Sequence, residues 1–296
     1  MFLKKYLALF HLLNDAYITH FFHGKNERPD EPLCLSMFIG SSTFMYSISL
    51  QSSNRVIELC HVELNNSFDV KQTLKDRVSF LIQNHLLHRQ KFEKVFISIL
   101  NSSFTLLPNA FASELDLKSL LNFSSGDILT KKPFQHHVKD IAFCFSVEQE
   151  LSNYLEKTFT NANIRHAGAV NIQLLFSEHS LSNCNVFLNI SDKQLEIAAK
   201  QKNDLLFYNV FDYESDEDVL YYLLFAMEQF NLNPLHVAIS IAAQRAVDEA
   251  LMLNIKKYVK QVNFVTSNPA VKLGDELSKI PNHFYFTLLN QHLCEL

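Results

Sequence analysis

Apolar and polar positions follow the same order of patterns twice along the chain. In the first copy, an apolar run over residues 33–39 precedes a segment of alternating polarity at 44–50 and a third strand-like segment at 56–64. Alternation with a period of two is typical of half-buried β-strands. Apolar residues at helical spacing over 70–82 and a buried run over 95–100 complete the copy. The pattern therefore predicts three strands, a helix and a fourth strand.

The second copy repeats this order. Its predicted strands cover residues 186–190, 195–200, 205–213 and 237–242. Ser215 and Asp218 are three residues apart and predict the start of a helix, because their side chains can cap backbone amides reciprocally. The predicted apolar stripe of this helix consists of Val219, Leu223, Met227 and Phe230. The two copies therefore predict a duplicated unit.

Further elements follow each copy. The predicted elements are a strand over 141–147, helices over 148–159, 169–179 and 246–259, and a strand over 262–266. Three antiparallel strands followed by helix–strand alternation predict a mixed sheet with helices on its faces. The predicted fold class is therefore α/β, and the duplicated order is similar to the two ribonuclease-H-like lobes of the actin-like ATPase superfamily. The predicted domains are an extension (residues 1–32), a first lobe (33–180) and a second lobe (181–296).

Three stretches of the sequence carry a family resemblance. They are Phe-Thr-Leu-Leu-Pro at 104–108, the aromatic and acidic stretch from Phe207 to Leu224, and the stretch from His283 to Glu295. The chain from about Leu33 to its end resembles a bacterial family, domain of unknown function 3822, to which an actin-like ATPase fold is assigned. This resemblance implies the fold and brings no activity.

The first hairpin predicts a phosphate loop that lacks its carboxylate. Actin-like ATPases and sugar kinases carry Asp-x-Gly here, and the Asp holds Mg²⁺ through its waters. This chain has Phe38 and Gly40 at those two positions, followed by Ser41, Ser42 and Thr43. Small residues allow backbone amides to approach an anion, but a phenyl ring cannot bind Mg²⁺. We favour a plain hairpin turn here.

The second hairpin and a later loop depart from the superfamily in the same way. Asn189 stands where an Asp is needed, Ser191 replaces the glycine, and Asp192 follows. The superfamily binds adenosine with a Gly-Gly pair, but the matching positions here are Ala242, Ala243, Gln244 and Arg245. The added side-chain atoms take space that a nucleotide would need. We therefore expect no nucleotide cofactor.

Other residues offer little chemistry. His136 and His137 are adjacent in sequence, so in a strand their rings face opposite sides and cannot easily share a metal. Residues 216–218 are acidic, as the first turn of a helix favours. No set of nucleophile, base and oxyanion donors can be assembled. We predict no catalytic residues and no metal site, and the sequence favours a non-enzymatic role.

The composition of the chain bears on which partners it can bind and on the cellular compartment in which it folds. The net charge of −5 and the pI near 6.2 provide no basic surface for nucleic acid. Five cysteines occur without a C-x-x-C pair, which predicts free thiols in a reducing, cytoplasmic compartment. No apolar run approaches the length of a membrane span, and the apolar run after Lys5 contains His11 and lacks a signal-peptide cleavage site.

The sequence leaves two functions open. The first is a non-catalytic actin-like module that acts as a scaffold or binds a protein partner. The alternative is a nucleotide- or anion-binding protein that closes its inter-lobe cleft without efficient hydrolysis. At the carboxyl terminus, a helix after Pro281 is expected to close the second lobe with an apolar stripe, formed by Phe284, Leu288, Leu289 and Leu293.

Overall fold

The computed structural model describes residues 18–23, 31–64, 72–126, 129–177, 184–191, 193–244, 247, 249–266, 268–274, 277–281 and 283–294. The strands within them are β1 (Ile18–His23), β2 (Leu33–Ile39), β3 (Thr43–Leu50), β4 (Arg55–Glu63), β5 (Lys94–Ile99), β6 (Phe104–Pro108), β7 (Lys131–Val138), β8 (Ile141–Glu148), β9 (Ala162–His166), β10 (Cys184–Ile190), β11 (Gln194–Gln201), β12 (Asp204–Asp212), β13 (Val237–Ala243), β14 (Gln261–Phe264) and β15 (Lys272–Leu273). The α-helices are α1 (Leu74–Asn84), α2 (Asn109–Ala112), α3 (Leu117–Ser125), α4 (Gln149–Thr158), α5 (Ala167–Ser177), α6 (Asp216–Gln229), α7 (Glu249–Tyr258) and α8 (Phe286–Asn290).

The two large sheets share one topology. The first contains the order β4-β3-β2-β5-β9 and the second the order β12-β11-β10-β13-β14. In each, the first three strands of the copy pair antiparallel and the next two pair parallel. Both copies thus place their third, second, first, fourth and fifth strands side by side. The predicted duplication and fold class are confirmed.

Backbone hydrogen bonds at the ends of the central strands repeat as well. The Gly40 amide donates to the Thr43 carbonyl at 2.9 Å, and the Ser191 amide donates to the Gln194 carbonyl at 3.0 Å. Behind each hairpin, the residue after the fourth strand donates to the last residue of the first strand, as the Gln244 amide does to the Ile190 carbonyl at 2.9 Å. Gly40 and Ser191 therefore occupy equivalent turns.

Helix α6 begins as the sequence predicts. Ser215 and Asp218 form a complete capping box. Three members of the predicted stripe, Val219, Leu223 and Met227, are buried against the second sheet. The fourth, Phe230, is the residue that ends the helix, and 38% of its surface is exposed. Its assignment to the buried stripe is wrong, because the helical repeat stops there.

A third sheet, with the order β6-β8-β7, is inserted between β5 and α4. The strand predicted over residues 141–147 exists as β8 but belongs to this separate sheet. Its neighbour β7 reads Lys-Lys-Pro-Phe-Gln-His-His-Val, a polar sequence that did not predict a strand. Strand β9 was also missed, because it ends in two buried polar residues, Arg165 and His166.

Both ends of the described chain reach the first sheet. Strand β1 pairs with β4 antiparallel, β15 pairs with β4 in parallel, and α8 contacts β2 and β3. The expectation that the carboxyl-terminal helix closes the second lobe is wrong about its main partner: α8 contacts β2 and β3 of the first sheet, and its buried side chains belong to the larger core cluster, which contains residues of both sheets. The boundaries at residues 32/33 and 180/181 stay a prediction, and we propose that the described residues between 272 and 294 be grouped with the first lobe.

His166 is fully buried in an aromatic core, and its two ring nitrogens fix one neutral tautomer. Nδ1 accepts a hydrogen bond from the Gly168 amide at 3.0 Å, so Nε2 carries the proton and donates to the Asn101 carbonyl at 2.9 Å. Protonation would turn Nδ1 into a donor that faces another donor. Burial, the largest cause, lowers the pKa of His166 from 6.5 to about 4.

We expect acid to destabilise the fold through this residue. Because the folded-state pKa is lowered, the stabilisation is present above pH 6.5 and is lost as the pH falls towards 4. The loss is about 3 kcal/mol at most. Urea unfolding across this range should show a smaller loss in His166→Gln than in the wild type, whereas the exposed control His137→Gln should match the wild type. If the unfolding free energy of His166→Gln fell with pH as steeply as that of the wild type, the loss could not be assigned to His166.

Candidate functional site

The predicted loop positions lie where the two sheets approach each other through helices α5 and α8. Helix α5 contacts β11 of the second sheet and also contacts α8. Helix α8 contacts β2 and β3 of the first sheet. The ring of Phe286 lies 5.8 Å from that of Phe187 in β10, measured between centroids. The carboxyl-terminal segment therefore connects both sheets beside the hairpins.

The first hairpin is packed into the core of the protein. The Phe38 side chain is fully buried, and Ser41 at the tip is exposed. Thr43 Oγ1 is hydrogen-bonded to His61 Nε2 at 3.0 Å, and His61 Nδ1 lies 3.3 Å from Tyr285 Oη. The hairpin is thus linked through His61 to the carboxyl-terminal segment. A β-carbon on Gly40 would lie 3.1 Å from Thr43 Cγ2, so the turn is tight.

The second hairpin is tied to the same segment. Asn189 Nδ2 donates to Glu196 Oε2 at 2.6 Å and lies 3.4 Å from Thr287 Oγ1. Ser191 Oγ donates to the Gln194 carbonyl at 2.7 Å, which satisfies its hydroxyl within the turn. Asp192 lies outside the described residues. The Asn189 amide group is therefore held by internal partners.

Glu196 is the centre of a buried polar network that sequence analysis did not single out. Both of its carboxylate oxygens accept hydrogen bonds from Asn171 Nδ2 at 3.0 Å, and Oε1 also accepts from Tyr208 Oη at 2.8 Å. Thr287 Oγ1 donates to Asn171 Oδ1 at 2.7 Å and joins α8 to the network. Burial raises the pKa of Glu196, although its three donors act in the opposite direction.

The alternating pattern of β11 did not indicate that Glu196 is buried. Glu196 occupies a polar position of the alternation, which indicates a solvent-facing side chain in a half-buried strand. In the structure both faces of β11 are covered, one by α6 and α7 and the other by α5 and the first lobe. Gly168 allows α5 to approach the Tyr208 side chain, since a β-carbon on Gly168 would lie 2.1 Å from Tyr208 Oη. A polar side chain in a strand that is covered on both faces needs hydrogen-bond partners within the protein, and Asn171, Asn189 and Tyr208 provide them for Glu196.

The predicted adenosine positions are also covered. Ala242 and Ala243 are fully buried, and the Ala243 amide donates to the His283 carbonyl at 3.0 Å. Gln244 is buried, and its backbone amide donates a hydrogen bond to the Ile190 carbonyl. Arg245 lies outside the described residues. Backbone from residues 283–284 therefore lies against this loop.

The end of the chain is anchored on the first sheet by Gln291. Its Nε2 donates to the Met37 carbonyl at 3.0 Å, and its Oε1 accepts from Ser98 Oγ at 2.6 Å. The buried guanidinium of Arg165 donates through Nη1 to the carbonyls of Gln291 and Cys294, at 2.8 and 3.0 Å. These contacts hold the segment next to β2, the strand that carries Phe38.

The described residues contain no group of His, Cys, Asp and Glu side chains that could hold a metal ion. His136 and His137 face opposite sides of β7 as predicted: His136 binds the Ile164 carbonyl, and His137 binds Asn109 Oδ1 at the surface. All five cysteines are buried and free. In the part of the chain that is described, no helix is long and apolar enough to cross a membrane.

Comparison with known proteins agrees with the duplicated fold. A family profile described as "Protein of unknown function (DUF3822)" matches residues 26–262. The chain belongs to the DUF3822 family. No curated protein matches it significantly.

Two solved structures are similar to this DUF3822 chain along nearly their whole length. One is a Bacteroides thetaiotaomicron protein described as having an actin-like ATPase fold and unknown function, with a TM-score of 0.74, 18% identity, and coverage of 90% of this chain and 97% of that chain. The other is from the PilM–PilN type IV pilus biogenesis complex, with a TM-score of 0.61, 10% identity, and coverage of 88% and 99%. At these identities the likeness shows the fold alone.

Proposed function

We propose that this DUF3822 chain is a non-catalytic actin-like module that acts as a scaffold or by binding a protein partner. The observation that carries the proposal is the bonding of Asn189: its amide group is held by Glu196 and Thr287, which are parts of the same chain. A loop that served Mg²⁺-nucleotide would present a carboxylate at this position. Here the position is used to join the second sheet to the carboxyl-terminal segment.

The first hairpin and the adenosine loop support the same proposal. Phe38 is buried where a carboxylate would be needed, and the Ala243 amide already has a partner in the His283 carbonyl. A nucleotide would have to displace these internal contacts. In the PilM–PilN complex a protein of this fold is found with another protein, and by analogy we propose a protein partner here. We also retain the cytoplasm as the proposed compartment, since all five thiols are buried and free.

A thermal-shift titration tests the proposal against the nucleotide-binding alternative. A specific ligand at a hundred times its Kd would stabilise the fold by about 2.7 kcal/mol. We expect no change of Tm with ATP, ADP or inorganic phosphate, each tested with and without Mg²⁺. A saturable rise in Tm with Mg²⁺-ATP that is lost in Gly40→Ala would favour the alternative, a cleft that closes on a nucleotide.

A further inference from the structure

Helix α6 carries a second apolar side that the fold does not bury. Its inner side, with Val219, Leu223 and Met227, packs in the core of the second lobe. On its outer side, 61% of the Tyr221 surface and 42% of the Phe225 surface are exposed. A surface helix of a globular protein usually has one apolar stripe facing the core. The outer rings therefore need an explanation other than folding.

These rings belong to a continuous aromatic strip that extends onto the edge strand β12. The strip comprises Phe230, Phe207, Phe211, Tyr222, Tyr221 and Phe225. Neighbouring ring centroids along it are 4.4 to 6.3 Å apart. Tyr221 and Phe225 are stacked at an interplanar angle of 18°, which leaves a flat, exposed aromatic surface. Exposed aromatic side chains with few rotatable bonds are enriched at protein interfaces.

The stretch of sequence that carries the aromatic strip is acidic. Residues 204–244 contain seven Asp and Glu side chains and no Lys or Arg. On α6, Glu217 and Glu228 are exposed and lie four residues before Tyr221 and three after Phe225. Side chains at these spacings share one face of a helix. Each end of the exposed ring pair is therefore flanked by a carboxylate.

We infer that the aromatic strip binds a basic segment of a partner protein, in which Lys or Arg side chains alternate with apolar residues. The cations would pair with Glu217 and Glu228 and lie over the ring faces, which attract positive charge. The apolar residues would cover the rings between them. This inference rests on the proposed partner-binding function and names its surface.

Three other occupants fit the charge less well. A two-fold contact between copies of this chain would bring two acidic segments together, and like charges across an interface are costly. A membrane surface with anionic lipids would be repelled for the same reason. Nucleic acid is excluded by the same sign of charge.

Selection from a random peptide library on the full chain tests the inference. We expect enriched peptides to carry net positive charge, with Lys or Arg beside aliphatic or aromatic residues. A synthetic copy of the most enriched peptide then serves as the probe in titrations. Its Kd should rise at least about tenfold in Tyr221→Ala/Phe225→Ala, and its affinity should fall as salt increases. The charge reversal Glu217→Lys/Glu228→Lys should also weaken peptide binding, although both aromatic rings remain in place.

The matched control is Phe123→Ala, since Phe123 is a 92% exposed aromatic residue on α3, and it should leave the Kd unchanged. Peptides without an excess of basic residues, or equal binding to the double-alanine variant, would overturn the inference. Concentration-dependent dimerisation in sedimentation runs that the double-alanine variant abolishes would also overturn it, by making a second copy the occupant. Nucleotide binding in the cleft would contradict the proposed function without altering the peptide result.

Discussion

Removal of residues 283–296 is expected to abolish cooperative folding. Tyr285, Leu288 and Leu289 are all less than 9% exposed, and they pack on the first sheet and on α5. Burial of each such side chain contributes roughly 1.5–3 kcal/mol, compared with about 5–15 kcal/mol for the net stability of a domain. The truncation would also leave the buried Arg165 guanidinium without two of its carbonyl acceptors. The loss is therefore comparable with the whole stability of the protein.

Solubility, circular dichroism and urea unfolding of the truncated chain measure this effect. Two leucine substitutions provide a graded comparison. Leu288→Ala should cost about 2–5 kcal/mol because Leu288 is fully buried. Leu253→Ala should change stability by about 0.5 kcal/mol or less, because Leu253 is 61% exposed on α7. A soluble truncated chain with the wild-type melting temperature would show that the segment is an exposed docking element instead.

Glu196→Ala is expected to destabilise the protein by about 3 kcal/mol or more. The substitution leaves the Asn171 amide and the Tyr208 hydroxyl without their acceptor in a buried site and removes the shorter of the two hydrogen bonds of the Asn189 amide. Each unsatisfied buried group costs about 1–3 kcal/mol. Glu93→Ala, at an exposed position, should remain within about 0.5 kcal/mol of the wild type. Urea unfolding at neutral pH compares the two. Equal stabilities would contradict the network described for Glu196.

The same carboxyl gives a pH dependence of opposite sign to that of His166. Burial raises the folded-state pKa of Glu196 above its unfolded value. Its contribution to stability is therefore present below the unfolded pKa and is lost as the pH rises through the raised folded pKa. In Glu196→Gln, which cannot ionise, this decline in unfolding free energy with rising pH should disappear. If the unfolding free energy of Glu196→Gln still declined with rising pH as in the wild type, the decline would belong to another titratable group.

The regular part of the fold is predictable from the sequence because local pattern and tertiary role agree there. Strand β2 is found at the predicted residues 33–39, and Ser215 starts α6 as predicted. The repeated order of these elements identified the duplication. That order survives the insertion of a third sheet, because the inserted chain leaves the paired strands of the first lobe unchanged.

The contacts that join the two lobes could not be predicted in this way. Glu196 and Arg165 have the sequence signature of surface residues, yet tertiary neighbours bury both of them. Gln291 bonds to β2 and β5 across more than 190 positions of sequence, a relation that no local pattern contains. Of the predicted apolar stripe near the carboxyl terminus, Leu288 and Leu289 are buried, whereas Phe284 and Leu293 are half-buried. The partner of this stripe was assigned to the wrong lobe, because periodicity indicates a buried face without naming what covers it.

The most direct test of the account is Mg²⁺-dependent ATP hydrolysis by the purified full chain. We propose that Phe38 and Asn189 occupy the positions where actin-like ATPases use carboxylates; Phe38 is fully buried, and Asn189 donates a hydrogen bond to Glu196. The proposed non-catalytic function predicts phosphate release at the level of the buffer control, equal in the wild type and in Gly40→Ala. Mg²⁺-dependent turnover by the wild type that disappears in Gly40→Ala would contradict it.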